Sequence, residues 1–185
     1  MPYLNEIFPD AKFIVLIRNI YSYTNSLKKH LERISRGKKF IVLSPESDEH
    51  GWRFVPIQQR STILPEEKNE YTFAEIPKYW INQNLLLLDF LREQDKSRIL
   101  YIHYQDIIEE LPNVLFRVGE FLCLPNINRR IRTNLVNNQT NDPLNQWKQD
   151  LTNEQIAQIE HIVKSNEQRY QFICSFIRGK TIKKN

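Results

Sequence analysis

The chain has 185 residues, of which 41% are hydrophobic and 26% are charged, a balance typical of one soluble globular domain. Its net charge of +4 suits an anionic ligand and argues against a dedicated nucleic-acid binder. The sequence carries no signal-peptide pattern and no apolar stretch of about 20 residues, so we expect a cytoplasmic protein without a membrane partner. Two cysteines allow at most one disulfide and do not suggest a disulfide framework, and four scattered histidines predict no metal site.

The strongest local pattern is a strand followed at once by a helix. The continuous apolar run from Phe13 to Ile17 predicts a strand buried on both faces. It ends at Arg18, and Asn19 is a suitable N-cap for the helix that follows. The apolar residues of that helix recur at helical spacing: Ile20, Tyr23, Leu27, Leu31 and Ile34. In open α/β sheets, ligands bind beyond the carboxyl ends of strands, so Arg18 stands at the expected binding edge.

Arg18 and Ser26 are candidate anion ligands. Ser22 and Ser26 are four residues apart and share a helix face, which Lys29 and Arg33 roughly continue. A guanidinium matches phosphate oxygens as a planar fork, a serine hydroxyl adds one donor, and the helix N-terminus favours negative charge. The alternative is that Arg18 pairs with a nearby carboxylate and that Ser26 is an ordinary surface serine.

The segment from Phe8 to Asn19, with Ser26 eight residues after Arg18, resembles the 3′-phosphate-binding segment of the sulfotransferase family. Members of that family use 3′-phosphoadenosine 5′-phosphosulfate as donor. The resemblance implies that Arg18 and Ser26 both contact the donor's 3′-phosphate. Two positions depart from the family pattern, since Ile20 stands where the family often has Pro and Ser22 where it often has Asp.

The middle of the chain predicts a short strand at Phe40–Leu43, a long loop from Ser44 to Asn69 and a buried helix from Phe73 to Arg92. Trp80 lies on the apolar face of that helix, where a core role is more common than a binding platform. The run from Arg98 to Tyr104 predicts a second buried parallel strand.

The block that follows this strand is the second point of resemblance. It has Tyr104-Gln105-Asp106-Ile107, a helix break near Pro112, and a second helix that ends in the segment Phe121 to Pro125. Sulfotransferases carry a similar block, and their tyrosine lies beside the donor's adenosine. The resemblance therefore adds Tyr104 as a third site residue. A tyrosine that ends a buried strand and packs in the core is the alternative.

The last third of the chain predicts an amphipathic helix at 126–137 with a solvated basic face, an Asn-rich loop to Asn145, and a disordered basic tail at 180–185. Thr152 and Gln155 form a capping-box pattern at the start of a further helix. Trp147 followed by this helix is the third point of resemblance. The family often has a basic loop before that tryptophan, and here the loop has no Lys or Arg.

Together the three blocks predict a single sulfotransferase-like domain over residues 1–185. Its expected fold is α/β, a parallel sheet flanked by helices, of the P-loop nucleotide-binding type. The glycine-rich loop that grips the phosphosulfate, and the earlier segments from which the family takes its catalytic lysine and base, have no counterpart here, so we expect an N-terminally truncated domain. His30 and His103 are the nearest bases, one well along its helix and the other expected inside its strand.

Three functions stay open on these residues. The first is sulfuryl transfer from 3′-phosphoadenosine 5′-phosphosulfate to an acceptor hydroxyl or amine on a small molecule, glycan or peptide. The second is a non-catalytic remnant that binds a phosphorylated nucleotide or another partner. The third is an RNA- or polyanion-binding module that uses the basic residues Lys28, Lys29, Arg33, Arg36, Lys38 and Lys39.

Overall fold

A computed structural model describes residues 6–35, 40–43, 53–56, 72–124 and 144–178 of the chain. Within these ranges the protein is mostly helical around a small parallel sheet, so the predicted α/β class is confirmed in this broad sense. The strands are β1 (Phe13–Ile17), β2 (Phe40–Leu43), β3 (Arg53–Pro56) and β4 (Ile99–His103). The helices are α1 (Ile20–Ser35), α2 (Glu75–Arg92), α3 (Tyr104–Glu109), α4 (Leu111–Phe121), α5 (Trp147–Asp150), α6 (Asn153–Ser165) and α7 (Glu167–Arg178).

The central sheet pairs β1 with β4 in parallel. The register runs from Phe13 opposite Ile99 to Ile17 opposite His103, so both strands end at the same level. This confirms the two predicted parallel strands. Because the two parallel strands end at the same edge of the sheet, the residues that follow them lie side by side.

One face of this sheet carries the main core. Val15 and Ile17 of β1 are 4% and 3% exposed, and they pack in one cluster with buried residues of α1, α2, α6 and α7. Trp80 belongs to this cluster at 2% exposure, which confirms its predicted core role. The cluster fixes the position of α1 and α2 against β1, and these are the elements that surround the end of the strand.

The other face of β1 is open, so the prediction that this strand is buried on both faces is wrong. Ile14 is 44% exposed and Leu16 is 53% exposed. Side chains alternate along a strand, and these two point away from Val15 and Ile17. Within the described part of the chain, the helices of the core cluster cover only the Val15 side. An apolar run shows only that both faces of a strand are apolar. The packing of neighbouring elements determines which of the two faces is buried.

A separate antiparallel hairpin joins β2 to β3, with Phe40 opposite Pro56 and Leu43 opposite Arg53. The predicted strand at Phe40–Leu43 is confirmed. The prediction of a loop over 44–69 is wrong for residues Arg53–Pro56, which form β3. The strand was missed because it has four residues and ends at a proline, a residue that interrupts a strand pattern unless it lies at an edge. The rest of that loop lies outside the described residues.

Helix starts follow local chemistry. Asn19 Oδ1 accepts a hydrogen bond from the Ser22 amide at 2.8 Å, so Asn19 caps α1 as predicted. The reciprocal capping box of Thr152 and Gln155 at α6 is also confirmed. The predicted helix break near Pro112 is confirmed, since α3 and α4 meet at Glu110, two residues earlier, and Pro112 lies in the first turn of α4. A proline in a first turn loses no helical hydrogen bond.

Three predictions fall wholly or mostly outside the described residues, namely the amphipathic helix at 126–137, the Asn-rich loop at 137–145 and the basic tail at 180–185. Among the helices that the structure does describe, none combines the length and the apolar character needed to cross a bilayer.

Candidate functional site

Arg18 follows the last residue of β1 and is held by both its backbone and its side chain. Its carbonyl oxygen accepts a hydrogen bond from Trp80 Nε1 at 3.1 Å, which ties the strand end to α2. Its guanidinium carbon lies 4.3 Å from the centre of the Tyr104 ring. Ile17 pairs with His103, so Arg18 and Tyr104 each stand one residue beyond the paired strand ends. The parallel register therefore brings two of the three predicted site residues into contact.

The Arg18 side chain carries unused hydrogen-bonding capacity. Its Nε atom is buried and has no hydrogen-bond partner among the described residues. Burial lowers the pKa of the Arg18 guanidinium from its usual value, and the nearby Tyr104 phenol opposes this shift. Arginine nevertheless keeps its charge in proteins. No ion pair within the described part of the chain involves Arg18, so the alternative of an Arg18–carboxylate pair has no support there.

Arg18 and Ser26, two of the three predicted site residues, line the same cavity. This cavity, the basic pocket, has a volume of about 500 Å³. Its described lining residues are Arg18, Tyr23, Ser26, Leu27, Lys29, His30 and Arg33. They include three permanent cations and no carboxylate. Ser26 is exposed, and its hydroxyl makes no hydrogen bond with any other described residue. The pocket therefore offers donors and positive charge to an anion.

Two of the basic side chains already have partners. Lys29 forms an ion pair with Asp150, which offsets part of its charge. Arg33 Nη2 lies 3.1 Å from His30 Nδ1, so the side chains of these two α1 residues are within hydrogen-bond distance of each other. Arg18 is consequently the cation of the pocket with the greatest capacity to bind a ligand.

Ser22 and Ser26 lie on the polar face of α1 but have different surroundings. Ser22 is 2% exposed, and its hydroxyl donates to the carbonyl oxygen of Leu144 at 2.9 Å. One turn further along, Asn25 Nδ2 donates to Asp150 Oδ2 at 2.7 Å. The segment before α6 is therefore fastened to α1 beside the basic pocket, while Ser26 faces the pocket. Sequence reasoning missed Asn25 and Asp150, although Ser22, Asn25 and Lys29 form a polar stripe at helical spacing.

Two further cavities meet at Arg18 and Tyr104. The smaller one has a volume of about 200 Å³ and includes His103, Tyr170 and Cys174 in its lining. His103 was expected inside its strand, but it is the last residue of β4 and lines this cavity. His30, expected far along its helix, lines the basic pocket. Both bases thus border cavities that reach Arg18.

The larger one, the wide cavity, has a volume of about 820 Å³ and is lined mainly by α2 together with Leu16 of β1. It shares Arg18 and Tyr23 with the basic pocket. Sequence reasoning placed Tyr23 on the apolar stripe and missed its position between two cavities. Burial raises the pKa of its phenol, so Tyr23 stays a neutral hydrogen-bonding group there.

No protein-family model, curated protein or solved structure matches this chain. The resemblance to sulfotransferases therefore stays a prediction from its sequence blocks. Among the described residues, no group of three His, Cys, Asp or Glu side chains is placed to hold a metal ion. The basic pocket and its neighbouring cavities are consequently the features of the molecule that bear on its function.

Proposed function

We propose that this chain has a sulfotransferase-type, P-loop-like nucleotide-binding fold, and that its basic pocket binds the 3′-phosphate of 3′-phosphoadenosine 5′-phosphosulfate. The observation that carries the proposal is that Arg18 and Ser26 line one pocket without a described carboxylate. The stacking of Arg18 on Tyr104, the residue expected beside adenosine, supports it further.

The pocket has the chemistry that a phosphate monoester requires. A guanidinium donates two parallel N–H bonds to phosphate oxygens, and the Ser26 hydroxyl can donate a third. Because the Arg18 guanidinium is partly desolvated and has no described ion-pair partner, a dianion gains strong attraction there.

In this proposal an acceptor hydroxyl or amine bonds to the donor's sulfur while the bond from that sulfur to the 5′-phosphate oxygen breaks. Adenosine 3′,5′-bisphosphate leaves, and a base takes the acceptor's proton. That reaction needs charge stabilisation on the transferred group and a base for the acceptor. His103 borders the small cavity beside Arg18 and is the described base nearest to the strand ends. The proposal assigns to this chain the recognition of the 3′-phosphate and leaves the acceptor open.

A second candidate is a non-catalytic domain that binds the nucleotide and transfers nothing. One observation favours it. Among the described residues that line the three cavities at Arg18, Lys29 is the sole lysine, and it is paired with Asp150. A paired lysine on the phosphate side is poorly suited to stabilise a sulfuryl group in transfer. Binding without transfer separates this candidate from the enzyme.

Calorimetry with adenosine 3′,5′-bisphosphate tests the proposal. The variant Arg18→Ala should bind about ten- to a hundredfold more weakly, because one charged hydrogen-bonded contact is worth about 1.5–3 kcal/mol. The variant Arg169→Ala removes an exposed arginine from α7, outside the three cavities, and should bind like the wild type. Adenosine 5′-monophosphate lacks the 3′-phosphate, so the effect of Arg18→Ala should shrink with that ligand.

A folded wild-type protein that fails to bind the bisphosphate contradicts the proposal. Equal losses in Arg18→Ala and Arg169→Ala would place the phosphate elsewhere. Incubation with 3′-phosphoadenosine 5′-phosphosulfate and a panel of phenols and amines then separates the enzyme from the non-catalytic domain. Formation of sulfated product supports the enzyme, and bisphosphate binding without any product supports the non-catalytic domain.

A further inference from the structure

The wide cavity has the size and lining of a small-molecule site. Its volume of about 820 Å³ lies within the range of about 300–1,000 Å³ that is usual for such sites. Five apolar side chains contribute to its described lining, together with several polar ones. The apolar residues are Leu16, Trp80, Leu86, Leu87 and Phe90.

Part of this apolar lining is exposed to water. Leu16 is 53% exposed and Leu86 is 54% exposed, although both border the cavity. The ring of Phe90 is held in place by an edge contact with the ring of Phe13, with 5.4 Å between the centroids. A ligand that covers Leu16 and Leu86 removes apolar surface from water, and that removal is the main driving force for binding apolar groups.

The charge of the cavity is opposite to that of the basic pocket. Asp89 and Glu93 both line it, and they stand four residues apart on one face of the α2 segment, where like charges repel. Asp89 is paired with Arg92 at 3.5 Å, but both side chains are more than half exposed and such pairs are weak. Glu93 forms no ion pair with any described residue. A cation between the two carboxylates would relieve their repulsion.

We propose that the wide cavity binds a small apolar amine in its protonated form. Its hydrocarbon or aromatic part lies against Leu16, Leu86 and Phe90, and its ammonium group lies at Asp89 and Glu93. The guanidinium of Arg18 directs the ammonium toward the carboxylates, because like charges repel. This inference goes beyond the phosphate site. It depends on Asp89, Glu93 and the apolar lining, which do not border the basic pocket, so it can be tested separately although both cavities share Arg18.

Three probes that share one ring system test the proposal on the full chain by equilibrium dialysis. They are 2-(1-naphthyl)ethylamine, 2-(1-naphthyl)ethanol and 1-naphthylacetate, which are a cation, a neutral molecule and an anion at pH 7. The amine should bind about tenfold more tightly than the alcohol, the gain expected from a charge-assisted contact. The double variant Asp89→Asn/Glu93→Gln should lose that preference and keep its affinity for the alcohol.

Glu120→Gln is the matched control, since it removes an exposed carboxylate of α4 that borders none of the three cavities. It should keep the preference for the amine, whereas Leu86→Ser should weaken both the amine and the alcohol. Equal affinity for amine and alcohol, tightest binding of the acetate, or no binding of any probe would each overturn the proposal. So would a preference for the amine that survives in the double variant. Bisphosphate binding to the same preparation reports on the basic pocket alone.

Discussion

The guanidinium of Arg18 lies over the ring of Tyr104, with 4.3 Å between the guanidinium carbon and the ring centre. A cation over an aromatic face is attracted by the ring's quadrupole, and the contact is strongest where water is excluded. With this contact in place, the buried Nε of Arg18 has no hydrogen-bond partner among the described residues, so its N–H can still be donated to an anion. Tyr104 therefore acts as a support that orients Arg18 toward the basic pocket.

This support predicts a difference between two substitutions of Tyr104. Tyr104→Phe keeps the ring, so bisphosphate affinity should stay within about twofold of the wild type. Tyr104→Leu removes the ring and should weaken binding about two- to tenfold, since a cation–π contact is worth about 0.5–2 kcal/mol. Calorimetry on both variants measures the difference. Equal affinities for the two variants would show that the ring does not orient Arg18.

Asp150 predicts a pH dependence of stability. Hydrogen bonds from Lys29 and Asn25 are the main cause that lowers the pKa of the Asp150 carboxyl below its usual 3.8. A carboxyl with a lower pKa in the folded state stabilises the fold above its unfolded pKa, and that stabilisation is lost as the pH falls through the folded pKa. The free energy of unfolding should therefore drop as the pH falls below about 4.

Urea denaturation at several pH values measures this dependence. Asp150→Asn removes the titrating group, so its free energy of unfolding should fall less steeply with acid than that of the wild type. At neutral pH the variant should also be less stable, because Lys29 loses its charged partner. Asp10→Asn changes an exposed aspartate near the start of the chain and serves as the control. Identical acid slopes for Asp150→Asn and the wild type would contradict the prediction.

Leu16 and Ile17 are neighbours in β1 and should respond very differently to truncation. Ile17 is 3% exposed in the core cluster, and Ile17→Ala should cost about 2–5 kcal/mol of unfolding free energy. Leu16 is 53% exposed, and Leu16→Ala should cost less than about 1 kcal/mol. Chemical denaturation of the two variants gives both values. Similar losses at both positions would mean that the outer face of β1 is covered in solution.

Much of the architecture was predictable because its signals are local. The apolar run of β1, the cap at Asn19 and the helical spacing of α1 lie within one short stretch, and the structure confirms each of them. The shared pocket of Arg18 and Ser26 was predictable for the same reason, since a tight turn between a strand and a helix fixes their relation.

The features that sequence reasoning missed depend on distant parts of the chain. The packing of other helices determines which face of β1 is exposed, and the sequence of the apolar run does not specify that face. The partner of β3 lies across a connection of nine residues, and a four-residue strand gives little signal of its own. Asn25 and Asp150 become partners through the packing of α5 against α1, which neither local sequence specifies.

The paired ends of β1 and β4 also define how the protein can change length during evolution. Arg18 and Tyr104 meet because Ile17 and His103 share one level of the sheet. Insertions or deletions in the connection between the two strands leave that level unchanged. A single residue inserted within either strand would shift its register, separate Arg18 from Tyr104 and turn buried side chains outward. Indels should therefore be tolerated in the connection outside α1 and α2, whose residues belong to the core cluster, and excluded from the two five-residue strands.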